Sequence, residues 1–177
     1  MYVDTLKLVS TLAARRPATV LPSRLDQLFH SLVAPGCDAD EIEQQIWRLW
    51  MHHPHRLAAA ELERTATEIA RQLYDIAETR LNRLLRACPD FAEAWNKRAT
   101  LYYLLERDEE CVHDIHRTLQ LEPRHFGALC GLAEIFRGCG ERASAVFVFR
   151  AALRVNPHLS AARTAVEELT AAPRSLQ

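Results

Sequence analysis

Residues 92–125, AEAWNKRATLYYLLERDEECVHDIHRTLQLEPRH, decide how the chain is read. Two helical phases run through this stretch. Trp95, Ala99 and Tyr102 share a face of the first, and Cys111, Ile115 and Thr118 share a face of the second, at the three- and four-residue spacing of one side of an α-helix. Pro123 then ends the second phase, because its ring removes a backbone donor and pushes the preceding residue out of the helical region. The phrase recurs on both sides. Pro89, Pro123 and Pro157 lie 34 residues apart and close "LLRACPDF", "TLQLEPRHF" and "ALRVNPHL". Twelve residues before each proline stand Ala77, Cys111 and Ala145, all small. Eight before stand Leu81, Ile115 and Phe149, all large, and five before stand Leu84, Thr118 and Ala152. In the first helices, Thr65, Ala99 and Ala133 are the matching small residues, with Trp95 and Leu129 four positions earlier and Tyr102 and Phe136 three later. Small residues let two helices approach while large neighbours fill the gap, so the period predicts a helix-pair repeat over 58–91, 92–125 and 126–159.

Working outward, 23–57 reads as a degenerate copy. Leu25, Leu28, Phe29, Leu32 and Val33 make one amphipathic helix; Ile42, Ile46, Leu49 and Trp50 make the next, opened by Asp38 and Glu41 at capping-box spacing. Pro54 lies 35 residues before Pro89, which places this pair as a leading repeat. Residues 1–22 read as an amphipathic helix through Leu6, Val9, Leu12 and Ala13, or as a weakly presequence-like segment because Arg15 and Arg16 follow. After Pro157, residues 160–177 supply a capping helix, with Ala162, Val166 and Leu169 inward, and a tail.

Composition narrows the function. The formal net charge is -1, and residues 56–91 carry six basic against six acidic side chains, so no concentrated positive surface exists to release counterions from a nucleic acid. The five cysteines, Cys37, Cys88, Cys111, Cys130 and Cys139, are odd in number, widely spaced and free of CxxC pairs, which predicts reduced thiols in an intracellular compartment, cytoplasm or organelle matrix. No segment has the ~18 continuous apolar residues of a membrane span.

The series Trp95, Ala99, Tyr102, Cys111, Ile115, Thr118, Pro123 resembles the tetratricopeptide repeat (TPR). "PDFAEAWNKRATLYYLL" and "LEPRHFGALCGLAEI" look especially like small single-domain TPR proteins of bacterial or organellar type. The resemblance implies an all-α, right-handed solenoid of helix hairpins whose first helices line a concave groove. By phase, the groove positions are Glu93, Asn96, Lys97, Thr100, Tyr103 and Leu104 in one unit and Gly127, Cys130, Gly131, Glu134 and Arg137 in the next; Ala59, Leu62, Glu63, Ala66 and Ile69 correspond in the first. The implied function is protein binding: an adaptor, assembly factor or scaffold subunit gripping a peptide or helix in that groove. An RNA-binding helical repeat is the alternative, opposed by the charge balance. The TPR clamp for C-terminal carboxylates has only Asn96 in place here, with Thr100 and Cys130 departing from it.

Several positions depart from the pattern. Gly127 and Gly131 lie one helical turn apart, costing about 1 kcal/mol each relative to Ala, and mark either a partner's close approach or a neighbouring helix. Arg64 and Arg98 share a phase that repeat units fill with apolar residues, so each needs an acidic or carbonyl partner or a path to solvent. His113 and His116 share a helical face without a third ligand at metal spacing, and no metal or cofactor is expected. Val146, Phe147, Val148 and Phe149 make a helix apolar most of the way round, which predicts either burial beneath the cap or a convex patch at Phe147 and Val148 that docks a partner or structural neighbour. No GxSxG, HExxH or phosphate loop is present, so an enzyme is not expected. The oligomeric state is left open by the sequence.

Overall fold

The computed structural model describes residues 2–55 and 57–171. Its helices are α1 (Tyr2–Thr11), followed by a 3-10 turn (Leu12–Ala14), α2 (Arg24–Leu32), α3 (Ala39–Trp50), α4 (Ala58–Ala70), α5 (Tyr74–Ala87), α6 (Ala92–Leu104), α7 (Asp108–Leu121), α8 (Phe126–Gly138), α9 (Arg142–Val155) and α10 (Ser160–Thr170). No strand occurs among the described residues. The chain is an all-α helical-repeat solenoid: α4 pairs with α5, α6 with α7 and α8 with α9, and each second helix packs on the first helix of the following pair, ending on α10.

The period is written into both kinds of turn. Within each pair, Gln72, Glu106 and Gly140 adopt left-handed φ of 60°, 57° and 76° and lie 34 residues apart. The next amides, of Leu73, Arg107 and Glu141, donate to the carbonyls of Glu68, Tyr102 and Phe136, each at 2.9 Å, closing the first helix with the same reverse turn. Between pairs, the residue before proline holds three of the four turns, Cys88 before Pro89 being the exception. The Glu122 carboxylate accepts from the Arg124 amide and the Asn156 side-chain oxygen from the His158 amide, both at 3.0 Å; His53 Nδ1 does the same for His55.

The small residues that set the helix crossings, Thr65, Ala99 and Ala133 with Ala77, Cys111 and Ala145, are all buried. Arg98 is paired: Nε and Nη2 donate to the two Asp114 oxygens at 2.6 and 2.9 Å, Nη1 donates to Asn82, and the guanidinium lies 4.8 Å from the Trp95 ring centre. Arg64 takes the other course, reaching solvent with Glu61 beside it at 2.8 Å.

The N-terminal segments do not simply lengthen the array. α1 lies against α7 and α9, with Leu8, Val9 and Leu12 in the cluster that holds Val112, Leu119 and Val148; Tyr2 meets Phe136 edge-on at 5.8 Å. Val148 is fully buried there, which corrects its expected place on a convex docking patch and leaves only Phe147 partly exposed. A helix with two β-branched or aromatic residues per turn needs cover on more than one side, and α1 supplies it.

The α2–α3 pair diverges from the expected leading repeat. Asp38 does cap α3, accepting the Glu41 amide at 3.1 Å. Yet the pair closes its own cluster, Leu25, Leu28, Phe29, Leu32, Ile46 and Trp50, upon Phe126 at the start of α8 rather than upon α4. Trp50 stacks on His125 at 4.0 Å, and Trp47 meets His125 and Phe126 edge-on at 5.6 and 5.5 Å. Two indoles on one helix need a broad apolar seat. Phe126 and a glycine-notched helix provide one, whereas α4 and α5 present Glu61, Glu68 and Arg80 joined as ion pairs. The capping helix α10 turns Ala162 and Ala165 inward, and the predicted tail, 172–177, lies outside the described residues.

Candidate partner-binding groove

α6 and α8 stand side by side with α7 behind them, and between them opens a cleft of about 180 Å³. Asn96, Thr100 and Tyr103 form one wall, Gly127, Ala128 and Gly131 the other, and Ala99, Cys111 and Ile115 line it from within. The two glycines differ in kind. At Gly131 a β-carbon would touch only Ile115 Cδ1, at 3.7 Å, so this wall is open. At Gly127 it would lie 2.7 Å from the Trp47 ring, so the glycine exists to admit α3. The cleft is therefore bounded at one end by an indole from the N-terminal pair.

Beneath that end lies a buried polar knot. The Ala128 amide donates to His125 Nδ1 at 3.1 Å, so Nδ1 carries a lone pair and Nε2 carries the proton. His125 Nε2 accordingly donates to Glu93 Oε2 at 2.8 Å, and the Asn96 amide donates to the same oxygen at 3.1 Å. Lys97 Nζ stands 3.0 Å from the other oxygen and 5.7 Å above the Trp47 ring. Burial alone pushes the Glu93 carboxyl up, but the bonds from His125 and Lys97 outweigh it and hold the group below the ordinary carboxylate range.

This geometry revises the groove predicted from phase. Thr100, Tyr103, Gly127 and Gly131 do share the cleft, with Tyr103 48 % exposed, and Leu104 is exposed beyond it. Glu93 is completely buried because the base of α8 closes over it, and it braces the groove instead of facing a ligand; Asn96 is largely buried but still lines the cleft wall. Asn96 spends one of its two amide protons on Glu93, which fixes the orientation of its side chain in the cleft wall. Leu62 is likewise fully buried, in the cluster formed by α4, α5 and the start of α6. Glu134 and Arg137 pair with each other at 2.7 Å on the exposed side of α8. Cys130 is half-buried; burial first, then Glu134 and Glu43, push its thiol up to about 11, and burial pushes Cys111 up to about 12. Both thiols are held in their neutral, unreactive form.

Trp47, packed against Gly127, and His125, bonded to Glu93, bound one end of the cleft in a way that periodicity could not supply. The signal that was available is the pairing of Trp47 with Trp50 in the least regular unit, which asks for a seat beyond its own partner helix. His113 and His116 are accounted for locally, by Asp114 at 3.0 Å and by Thr5 and Gln120 at 3.1 and 3.0 Å. Among the described residues no group of three His, Cys, Asp or Glu is gathered for a metal, and no helix is long and apolar enough to cross a membrane.

No family model matches the chain. A TPR repeat-containing protein of Rhizobium etli is 30% identical over 163 residues, covering 90% of this chain and 78% of the relative. The chain belongs to the tetratricopeptide-repeat family. The 34-residue recurrence of reverse turns and proline turns is the structural form of that membership. A TPR array is a protein–protein interaction module.

Proposed function

We propose that this TPR protein is an adaptor, assembly factor or scaffold subunit that takes a short peptide or one helical face into the cleft between α6 and α8. The observation that carries this reading is Gly131: an open notch in a helix, facing Tyr103 and Thr100 across an apolar floor. A glycine there weakens the helix by about 1 kcal/mol relative to Ala, and among the described residues a β-carbon would meet only Ile115 Cδ1 at 3.7 Å, so the space serves an incoming side chain. With Lys97 committed to Glu93 and Arg137 to Glu134, selectivity rests on shape, the Tyr103 hydroxyl and the Thr100 edge more than on charge. The ligand footprint is short, because Trp47 closes the end nearest α3.

Phage-displayed peptides selected on the wild-type chain and counter-screened on Gly131→Leu provide the test. Gly131→Leu raises helix propensity while filling the notch. Selected peptides should lose affinity about tenfold or more on that variant and on Tyr103→Ala, a change of ~1.4 kcal/mol, with helicity unchanged. Peptides that bind the filled cleft equally well would remove it as the site. Lys97→Glu is an unsuitable probe, since it would set a second carboxylate beside buried Glu93.

A further inference from the structure

No charge stands free inside the cleft between α6 and α8, but its α3 border carries one. The cleft itself, at about 180 Å³, is little larger than the ~150 Å³ apolar cavity that holds a benzene ring, so it seats one side chain of a partner, a ring or a branched aliphatic group over Ala99, Ile115 and Ala128. On the α3 side, a residue flanking that anchor passes over the stripe of α8 formed by Gly127, Cys130 and Glu134. The stripe of α3 that borders it is Trp47, Glu43 one turn earlier and Asp40 a turn before that. Trp47 sets the contact, since a β-carbon on Gly127 would lie 2.7 Å from its ring. Glu43 falls beside Cys130: after burial, Glu134 and then Glu43 push that thiol up.

The ions along this border do not balance. The cations near it are already engaged: Lys97 stands 3.0 Å from Glu93, Arg137 pairs with Glu134 at 2.7 Å, and Arg163 donates to the Pro157 carbonyl at 2.6 Å. Asp40, exposed, and Glu43, half-buried, pair with no cation among the described residues. Glu43 is nevertheless held in place, because the Asn156 side-chain amide donates to its Oε1 at 2.8 Å. A neutral donor fixes the carboxylate without cancelling its charge. A carboxylate so positioned is a ready acceptor for a guanidinium or ammonium group, and charge-assisted bonds of this kind are the stronger ones.

We propose that the peptide or helix taken by the cleft presents a basic side chain, arginine or lysine, beside its apolar anchor, and that Glu43 receives it while Asp40 extends the negative border. This rests on the cleft being the binding site. A cellulose-bound array of octapeptides probed with the full chain tests both levels: a central Phe, Leu or Tyr is combined with Arg, Lys, Gln or Glu at each flanking position, in a background of Ala and Ser. Wild type should require the central anchor and, at one side of it, prefer Arg or Lys over Gln by about three- to tenfold and disfavour Glu, with the preference fading as salt rises. Glu43→Gln retains an oxygen that can accept from Asn156, so it should keep its helicity by circular dichroism and bind basic and Gln-flanked peptides alike. Gly131→Leu should lose all of them. Anchored binding that is indifferent to the basic flank, or a basic preference that survives Glu43→Gln, would overturn the assignment of Glu43 and leave the cleft standing. Equal binding by Gly131→Leu, or no binding by any peptide of the array, would overturn both.

Discussion

Gly127 and Gly131 stand one turn apart in the same helix, and replacing each with alanine should change stability unequally. The gain in helix propensity is common to both, about 1 kcal/mol. At Gly131 the new methyl meets only Ile115 Cδ1, at 3.7 Å, an ordinary contact, so Gly131→Ala should stabilise the chain by nearly the whole of that amount. At Gly127 the methyl falls 2.7 Å from the Trp47 ring, closer than carbon atoms approach. That ring is wedged between Trp50, His125 and Phe126 and has little room to yield. Overpacking of this kind costs ~1–3 kcal/mol, which equals or exceeds the propensity gain. Gly127→Ala should therefore be neutral to destabilising by about 2 kcal/mol, leaving a gap of ~1–3 kcal/mol between the two substitutions. Urea unfolding followed by circular dichroism at 222 nm reads both. The decisive arm is a double-mutant cycle with Trp47→Ala: in that background Gly127→Ala should stabilise by about 1 kcal/mol, as Gly131→Ala does. Equal stabilisation by the two alanines in the wild-type background would show that Trp47 does not sit against α8, and the boundary of the cleft would have to be redrawn.

Two further outcomes follow from the turns and the polar knot. Glu106 holds a left-handed φ of 57° in the position that Gly140 occupies one unit later, so Glu106→Gly should raise stability by about 1 kcal/mol and Gly140→Ala should lower it by a similar amount, both read from the urea midpoint. Glu93 is held below its ordinary value of 4.5 by His125 and Lys97, so its contribution is complete above that value and is lost as the pH falls through the lower folded-state value. The acid limb of the stability profile below about pH 4.5 should therefore be shallower in Glu93→Gln, and an unchanged limb would mean that Glu93 is not the group that titrates there.

Much of the fold was legible because proline and small residues act locally. A 34-residue recurrence of Pro89, Pro123 and Pro157, with Ala77, Cys111 and Ala145 at the crossings, specifies helix pairs before any tertiary contact is known. The same reasoning required Arg98 to find a partner, and Asp114 is there. What amphipathicity does not carry is the identity of the covering surface. It marks the α3 face as buried but leaves the choice between α4 and the Phe126 end of α8 to volume and polarity, and the ion pairs of Glu61, Glu68 and Arg80 make α4 the poorer seat. Phase likewise turned Glu93 toward the groove, but it could not show that His125 and Asn96 would close over it. Val148 was misplaced for the same reason, since nothing in its own helix tells that α1 returns to lie on it.

The N-terminal pair and its flanking turn reach all three junctions between units. His53 bonds Asp90 at 3.1 Å; Asp26 and Trp50 hold Arg124 and His125; Glu43 bonds Asn156 at 2.8 Å and the Leu32 carbonyl accepts from His158 at 2.9 Å. A chain of helix pairs joined only to their neighbours is a spring, free to change pitch and hence the spacing between successive first helices. Pinned at three points along one edge by a single rod, it becomes a truss. Its curvature is then set by where those contacts fall, and the peptide or helix proposed for the cleft would meet a jaw of fixed gape.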